Sequence, residues 1–147
     1  MAEPHFYEVN VEWKRDRIGE ISSPDLNDTF EVATPPEFPK GVAGIWSPEH
    51  LYAGAINSCY MTTFLAIAEN SNLEFTSFSC KTICKLEVVE GKFMISEAVV
   101  EPKVDLVHPE KDNDRAIRIL EKSEKACLIS NSIQTVVTLK HRLTPTV

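Results

Sequence analysis

The sequence predicts an α+β domain of order βββ-α-ββ-α-β, mostly antiparallel sheet around one long buried helix. Three observations carry that expectation. Residues 5–14 alternate apolar and polar, the period of a strand. Residues 51–68 form a long apolar stretch, the length of a buried helix. Two strand-like runs flank Glu90-Gly91, a pair suited to a tight hairpin turn.

The elements follow in order. From His5 to Lys14, Tyr7, Val9, Val11 and Trp13 fall on one face, with Glu8, Asn10 and Glu12 on the other, which predicts a half-buried strand. Arg17–Ser23 and Thr29–Thr34 read as two further short strands, joined through the turn-formers Ser23-Pro24-Asp25 and Asn27-Asp28. The run PPEFPKGVAG holds three prolines and two glycines in ten residues and is a stiff loop.

Ser47-Pro48-Glu49 opens a helix by three rules at once. Ser47 can cap, Pro48 suits the first helical position, and Glu49 sits where the helix dipole favours a carboxylate. The helix should run to about Asn70 and is apolar almost all round, as expected of one wrapped by other structure. Asn57, Ser58, Cys59, Thr62 and Thr63 lie within it, so a buried core helix explains it better than a membrane span. Phe75–Val89 and Lys92–Val107 then form the hairpin.

A second helix is expected from Pro109 to about Cys127. Glu110, Asp112 and Asp114 lie at its start and Lys122 and Lys125 near its end, as the macrodipole prefers. Its inward face is Ala116, Ile119, Leu120, Ser123 and Cys127. Ile133–Leu143 closes the chain as a last strand. With 147 residues and no linker or repeat, the chain reads as one domain over 1–147.

Composition narrows the function. A net charge of -7 with no Lys/Arg cluster argues against nucleic acid as a partner. The first residues carry charges before any apolar run and do not read as a signal peptide, so a cytoplasmic setting is expected. The four histidines show no metal-ligand spacing, and the four cysteines form no CxxC pair, so no metal is expected.

Cys59 stands in the middle of the first helix, where a small core hydrophobe is one reading. Cys127 ends the inward face of the second helix, so both thiols point to the interior and could approach bridging distance if the helices pack there. Cys80 and Cys84 share a strand face about 13 Å apart and cannot bond to one another. They read as core or surface thiols.

These motifs resemble the OsmC/Ohr family. Ser47-Pro48-Glu49-His50-Leu51, followed by small residues and Ser58-Cys59, looks like that family's (N/S)PE-x-L signature ahead of a helix cysteine. Ala126-Cys127-Leu128-Ile129-Ser130 is similar to its second motif, ACPVS, with Leu128 where proline often stands. The resemblance implies an OsmC-like fold assembled as an intertwined homodimer. It further implies a cytoplasmic, cysteine-based peroxidase acting on organic hydroperoxides. Cys59 would be the peroxidatic thiol and Cys127 the resolving one. An Arg–Glu pair would activate Cys59, with Glu49 as the glutamate and Arg17, in Arg17-Ile18-Gly19, as the arginine; Arg15 is the reserve. No bound cofactor is implied, only an external dithiol reductant of lipoyl type.

Glu49 and Cys59 are ten residues apart, about 15 Å along a helix and roughly 80° in azimuth. A Glu side chain does not span that, so the Arg17–Glu49 pair is expected from a second copy. A non-catalytic module that binds a hydrophobic small molecule between helix and sheet stays open as the other reading. A hot-dog-like thioesterase lacks a mid-helix carboxylate or histidine.

Overall fold

The computed structural model describes residues 3–143. Residues 1, 2 and 144–147, which the single-domain expectation over 1–147 includes, lie outside it. The chain forms two compact units, divided between Leu51 and Tyr52.

The first unit holds β1 (Asn10–Arg15), β2 (Ile18–Ser22) and β3 (Phe30–Ala33), an antiparallel meander. It corrects one expectation. The first strand begins at Asn10 rather than His5, and it is exposed on both faces, not half-buried. Trp13 is 77% exposed, and Tyr7, Val9 and Val11 are exposed with it. The cause is its edge position: β1 pairs only with β2, and nothing within the unit lies over its apolar face. The proline-rich loop returns to β3, where Ala33 N–H donates to the Trp46 carbonyl at 2.8 Å. Ser47 then caps the next helix as its sequence predicts, its buried hydroxyl accepting the His50 N–H at 3.1 Å.

That helix, α1, runs Pro48–Asn70. In the second unit its Ile56, Tyr60, Phe64 and Ala68 form a fully buried i, i+4 stripe. They pack on one face of the sheet made by β4 (Phe75–Val89), β5 (Lys92–Leu106) and β6 (Val136–Leu139). Phe64 stacks on Phe78, with ring centroids 4.7 Å apart, and meets Phe75 edge-on at 5.4 Å. β5 is the central strand. Its alternate residues Ala98, Val100, Pro102, Val104 and Leu106 are all buried, while Lys81, Ile83, Lys85 and Lys103 stand exposed on the sheet. The β4–β5 turn carries Glu90 at φ 51 and Gly91 at φ 79, the left-handed pair that a two-residue hairpin requires.

α1 is long and apolar enough to cross a membrane by length and composition, with mean hydropathy 1.2 over its best window. The buried stripe marks it as a core helix. Complete wrapping does not occur within one chain: Met61 and Leu65, on other sides of α1, are 38% and 39% exposed.

α2 (Pro109–Ala126) covers the remaining core with Ala116, Ile119, Leu120 and Ser123, the face its sequence predicts. Two features depart from expectation. A short helix, α3 (Leu128–Asn131), follows α2 directly. The closing strand is broken into β6 and β7 (Arg142–Leu143), and both run parallel to β5. A helix crossover returns the chain to the same end of the sheet, so the strand after it must pair in parallel. The remaining strand pairs are antiparallel.

Phe64→Ala should cost about 3–5 kcal/mol of unfolding free energy, read by urea denaturation, because the ring is fully buried among aromatics. A loss below about 1 kcal/mol would contradict this packing.

Candidate thiol site

The site is built by docking α1 against α2. Tyr60, one residue beyond Cys59, sends its buried hydroxyl to the Leu120 carbonyl of α2 at 2.8 Å. Burial pushes this phenol far up, and the Cys80, Glu124 and Cys127 charges push the same way, so it stays protonated and remains a donor. Seven residues along the inward face of α2 lies Cys127, 1% exposed.

Cys127 ends α2 and precedes α3. Its backbone is extended, at φ −67 and ψ 114. Its carbonyl accepts the Asn131 N–H at 3.1 Å, closing the single turn of α3. The Leu128 and Ile129 amides at this turn act on Cys59, and the Ser130 amide acts on Cys127.

Cys59 and Cys127 are both free thiols, joined by a side-chain hydrogen bond. Burial pushes Cys59 up. Donation from the Ile129 N–H, the Cys127 thiol, the Thr63 hydroxyl and the Leu128 N–H outweighs it, so Cys59 lies below the ordinary thiol range. Cys127 goes the other way. Burial raises it, the Ser130 N–H and hydroxyl lower it, and the neighbouring Cys59 raises it again. The two shifts therefore oppose, Cys59 downward and Cys127 upward.

The other expected site residues belong to the first unit. Arg17 is exposed at the β1–β2 turn and, among the described residues, makes no ion pair. Arg15 is held by Glu31, at 3.0 and 3.4 Å to its two carboxylate oxygens. Glu49 is half-buried, and its Oε1 is a buried atom with no hydrogen-bond partner among the described residues. Arg17 and Glu49 thus do not pair within the chain.

Cys80 and Cys84 are unpaired and packed against the core. Burial pushes both up. Among the described residues no three His, Cys, Asp or Glu side chains are placed to hold a metal. Sequence reasoning missed the donors to Cys59. Thr63 was detectable, since position i+4 shares a helix face with Cys59; the two amides carry no side-chain signal at all.

A core helix bearing one thiol, set against a second helix that ends in another, defines an α+β protein with a paired-thiol site. The profile described as OsmC-like protein matches residues 41–142. The chain is 29% identical over 143 residues to the uncharacterized protein YmaD of Bacillus subtilis, covering 95% of this chain and 93% of that one. In fold it is similar to an OsmC-like protein of unknown function from Vibrio cholerae, with TM-score 0.85, 21% identity and coverage of 94% and 99%. It is also similar to the organic hydroperoxide resistance protein OhrB of Bacillus subtilis, with TM-score 0.65, 22% identity and coverage of 95% and 98%. The chain belongs to the OsmC-like family.

Iodoacetamide should label Cys59 ahead of Cys80, Cys84 and Cys127 near neutral pH, because only Cys59 is shifted down. Its labelling rate should fall only when the pH drops through that lowered value, where the thiolate is protonated. Equal labelling of all four thiols in the native protein, mapped by mass spectrometry, would contradict the opposed shifts.

Proposed function

We propose that this protein reduces organic hydroperoxides to alcohols, with Cys59 as the peroxidatic thiol and Cys127 as the resolving thiol. One observation carries the reading: two hydrogen-bonded sulfurs, one shifted down and the other up. An attacking thiol must be ionised, whereas a resolving thiol is best kept protonated until the first oxidation.

The steps balance. The Cys59 thiolate attacks the outer oxygen of the hydroperoxide, the O–O bond breaks, and the alkoxide takes a proton to leave as alcohol. Cys59 is then a sulfenic acid. The Cys127 sulfur attacks it, the hydroxyl departs as water, and a Cys59–Cys127 disulfide remains. An external dithiol, of lipoyl type in this proposal, supplies two electrons and two protons to restore both thiols. A reducing cytoplasm suits such a cycle.

Arg17 and Glu49 enter this reading from a second copy. In this reading a homodimer brings Arg17 and Glu49 of one chain to Cys59 of the other, and closing that site gives the unpartnered Glu49 oxygen a cation. The exposed face of Tyr7, Val9, Val11 and Trp13 and the uncovered sides of α1 support the assembly, since apolar surface of that kind is ordinarily covered.

Cys59→Ser should abolish reduction of cumene hydroperoxide. Cys127→Ser should complete one oxidation, then stall and over-oxidise, seen as a sulfinic mass on Cys59. Wild-type turnover in Cys59→Ser would sink the assignment. A protein that binds a hydrophobic ligand, consumes no peroxide and is indifferent to loss of Cys127 would be the binding module instead. Sedimentation should give a dimer at working concentration, and Arg17→Ala should slow peroxide reduction. A fully active monomer would refute the shared site.

A further inference from the structure

The face of the second unit's sheet turned away from α1 gathers cations that the sequence holds far apart. Strand pairing sets Ser79 of β4 opposite Lys103 of β5, and Lys103 opposite Arg142 of β7, so the three share one row. Lys81 stands opposite Glu101 in the row two residues along. Neighbouring strands lie about 4.8 Å apart and such rows about 7 Å apart, so the five residues meet on one patch. Pro102 and Val104, which alternate with them on β5, are buried on the opposite face. A cleft of about 240 Å³ opens on the patch, with Ser79, Lys81, Glu101, Lys103 and Arg142 in its wall.

Two features set this cleft apart from a solvated sheet face. The first is a like-charge pair. Lys103 and Arg142 stand directly opposite on paired strands, where they repel. β7 is only two residues long, so it has little ladder to offset that repulsion. The second is missing neutralisation. Lys81, Lys103 and Arg142 make no ion pair among the described residues. Lys85, on the same face, is paired with Glu87 at 3.5 Å and Glu97 at 3.4 Å. Asp105, the next residue on this face of β5, accepts the Ser77 hydroxyl and lies outside the cleft wall. In the wall three cations face one carboxylate, Glu101, and two positive charges are left over. That surplus sits on a chain whose net charge is -7.

We propose that this cleft binds a small doubly charged oxyanion, phosphate either free or as a monoester, between Lys103 and Arg142, with Lys81 as a third charge and the Ser79 hydroxyl as a neutral donor. The planar guanidinium of Arg142 suits two oxygens of one phosphate, and the lysine ammonium adds a point charge. A bound dianion matches the surplus in the wall. It also turns the repulsion between Lys103 and Arg142 into attraction to a shared partner, which fastens β7 to β5. The cleft lies across the sheet from α1, so the inference does not depend on the peroxidase reading.

Calorimetric titration of the full chain with inorganic phosphate at low salt should show saturable binding, one per chain. Lys103→Gln and Arg142→Gln should each weaken it about tenfold, the size of one charged hydrogen bond. Lys85→Gln, on the same face but outside the cleft, should stay within about twofold of the parent. Phenyl phosphate is the second arm: tighter binding than phosphate assigns a monoester, and equal binding assigns free phosphate. No saturable binding of either probe by the parent overturns the proposal. So does an equal loss in Lys85→Gln, which would assign the effect to charge in general. Thermal melting supplies a readout that a purely structural lysine would not give. Without phosphate, Lys103→Gln should melt no lower than the parent, because it relieves the repulsion across β5 and β7. Phosphate should raise the melting temperature of the parent and leave that of Lys103→Gln nearly unchanged. A variant that melts lower than the parent, yet gains as much from phosphate, overturns the proposal.

Discussion

The hydroxyl of Tyr60 bonded to the carbonyl of Leu120 sets the register of the second unit. A helix with apolar residues on every side has no amphipathic face to choose its orientation. Burial energy alone lets α1 rotate or slide with little penalty. A buried phenol removes that freedom, because its proton must find an acceptor or lose the full cost of desolvation. Once Tyr60 is fixed, Phe64 meets Phe75 and Phe78, and Cys59, the preceding residue, turns toward the end of α2.

The same constraint brings a partly buried thiol, Cys59, to the donors that lower it. Among the described residues of the second unit, the causes that lower Cys59 are hydrogen bonds and include no cation. Four donors make them, two of them main-chain amides and one the neighbouring thiol. Desolvation acts on both sulfurs, yet their shifts oppose. Geometry makes the difference, since the first amides of α3 reach Cys59 while Cys127 receives only Ser130 and faces a negative neighbour. A short helix of four residues therefore does chemical rather than architectural service.

Much of this was legible in the sequence, and the boundary is physical. The Ser47 cap, the start at Pro48, the turn at Glu90-Gly91 and the inward face of α2 all follow from local rules, and the structure has them. The nearness of Cys59 to Cys127 was expected from two inward faces, yet Cys59 lies beside the buried stripe of α1 and is only half-buried. β1 was misjudged because alternation reports which face is apolar, not what covers it. α3 and the parallel pairing of β6 escaped because neither has a local signature: one is too short for periodicity, and the other follows from the path of a crossover. The amides of Leu128 and Ile129 were invisible, since every residue except proline carries one. Glu49 and Arg17 were named from a resemblance, and within one chain they stay apart.

The parallel pairing of β6 with β5 also bears on the order in which the molecule assembles. The β4–β5 hairpin closes across a two-residue turn and needs only neighbours in sequence. β6 can join only after α2 and α3 have crossed the sheet, so its pairing spans more than thirty residues, with Glu97 opposite Val136. Non-local pairings of this kind form slowly, because chain closure is paid for before the contacts reward it. The junction at Cys127 lies inside that slow segment. Until that segment is in place, Cys59 lacks the donors from residues 127–129 that lower it in the folded chain.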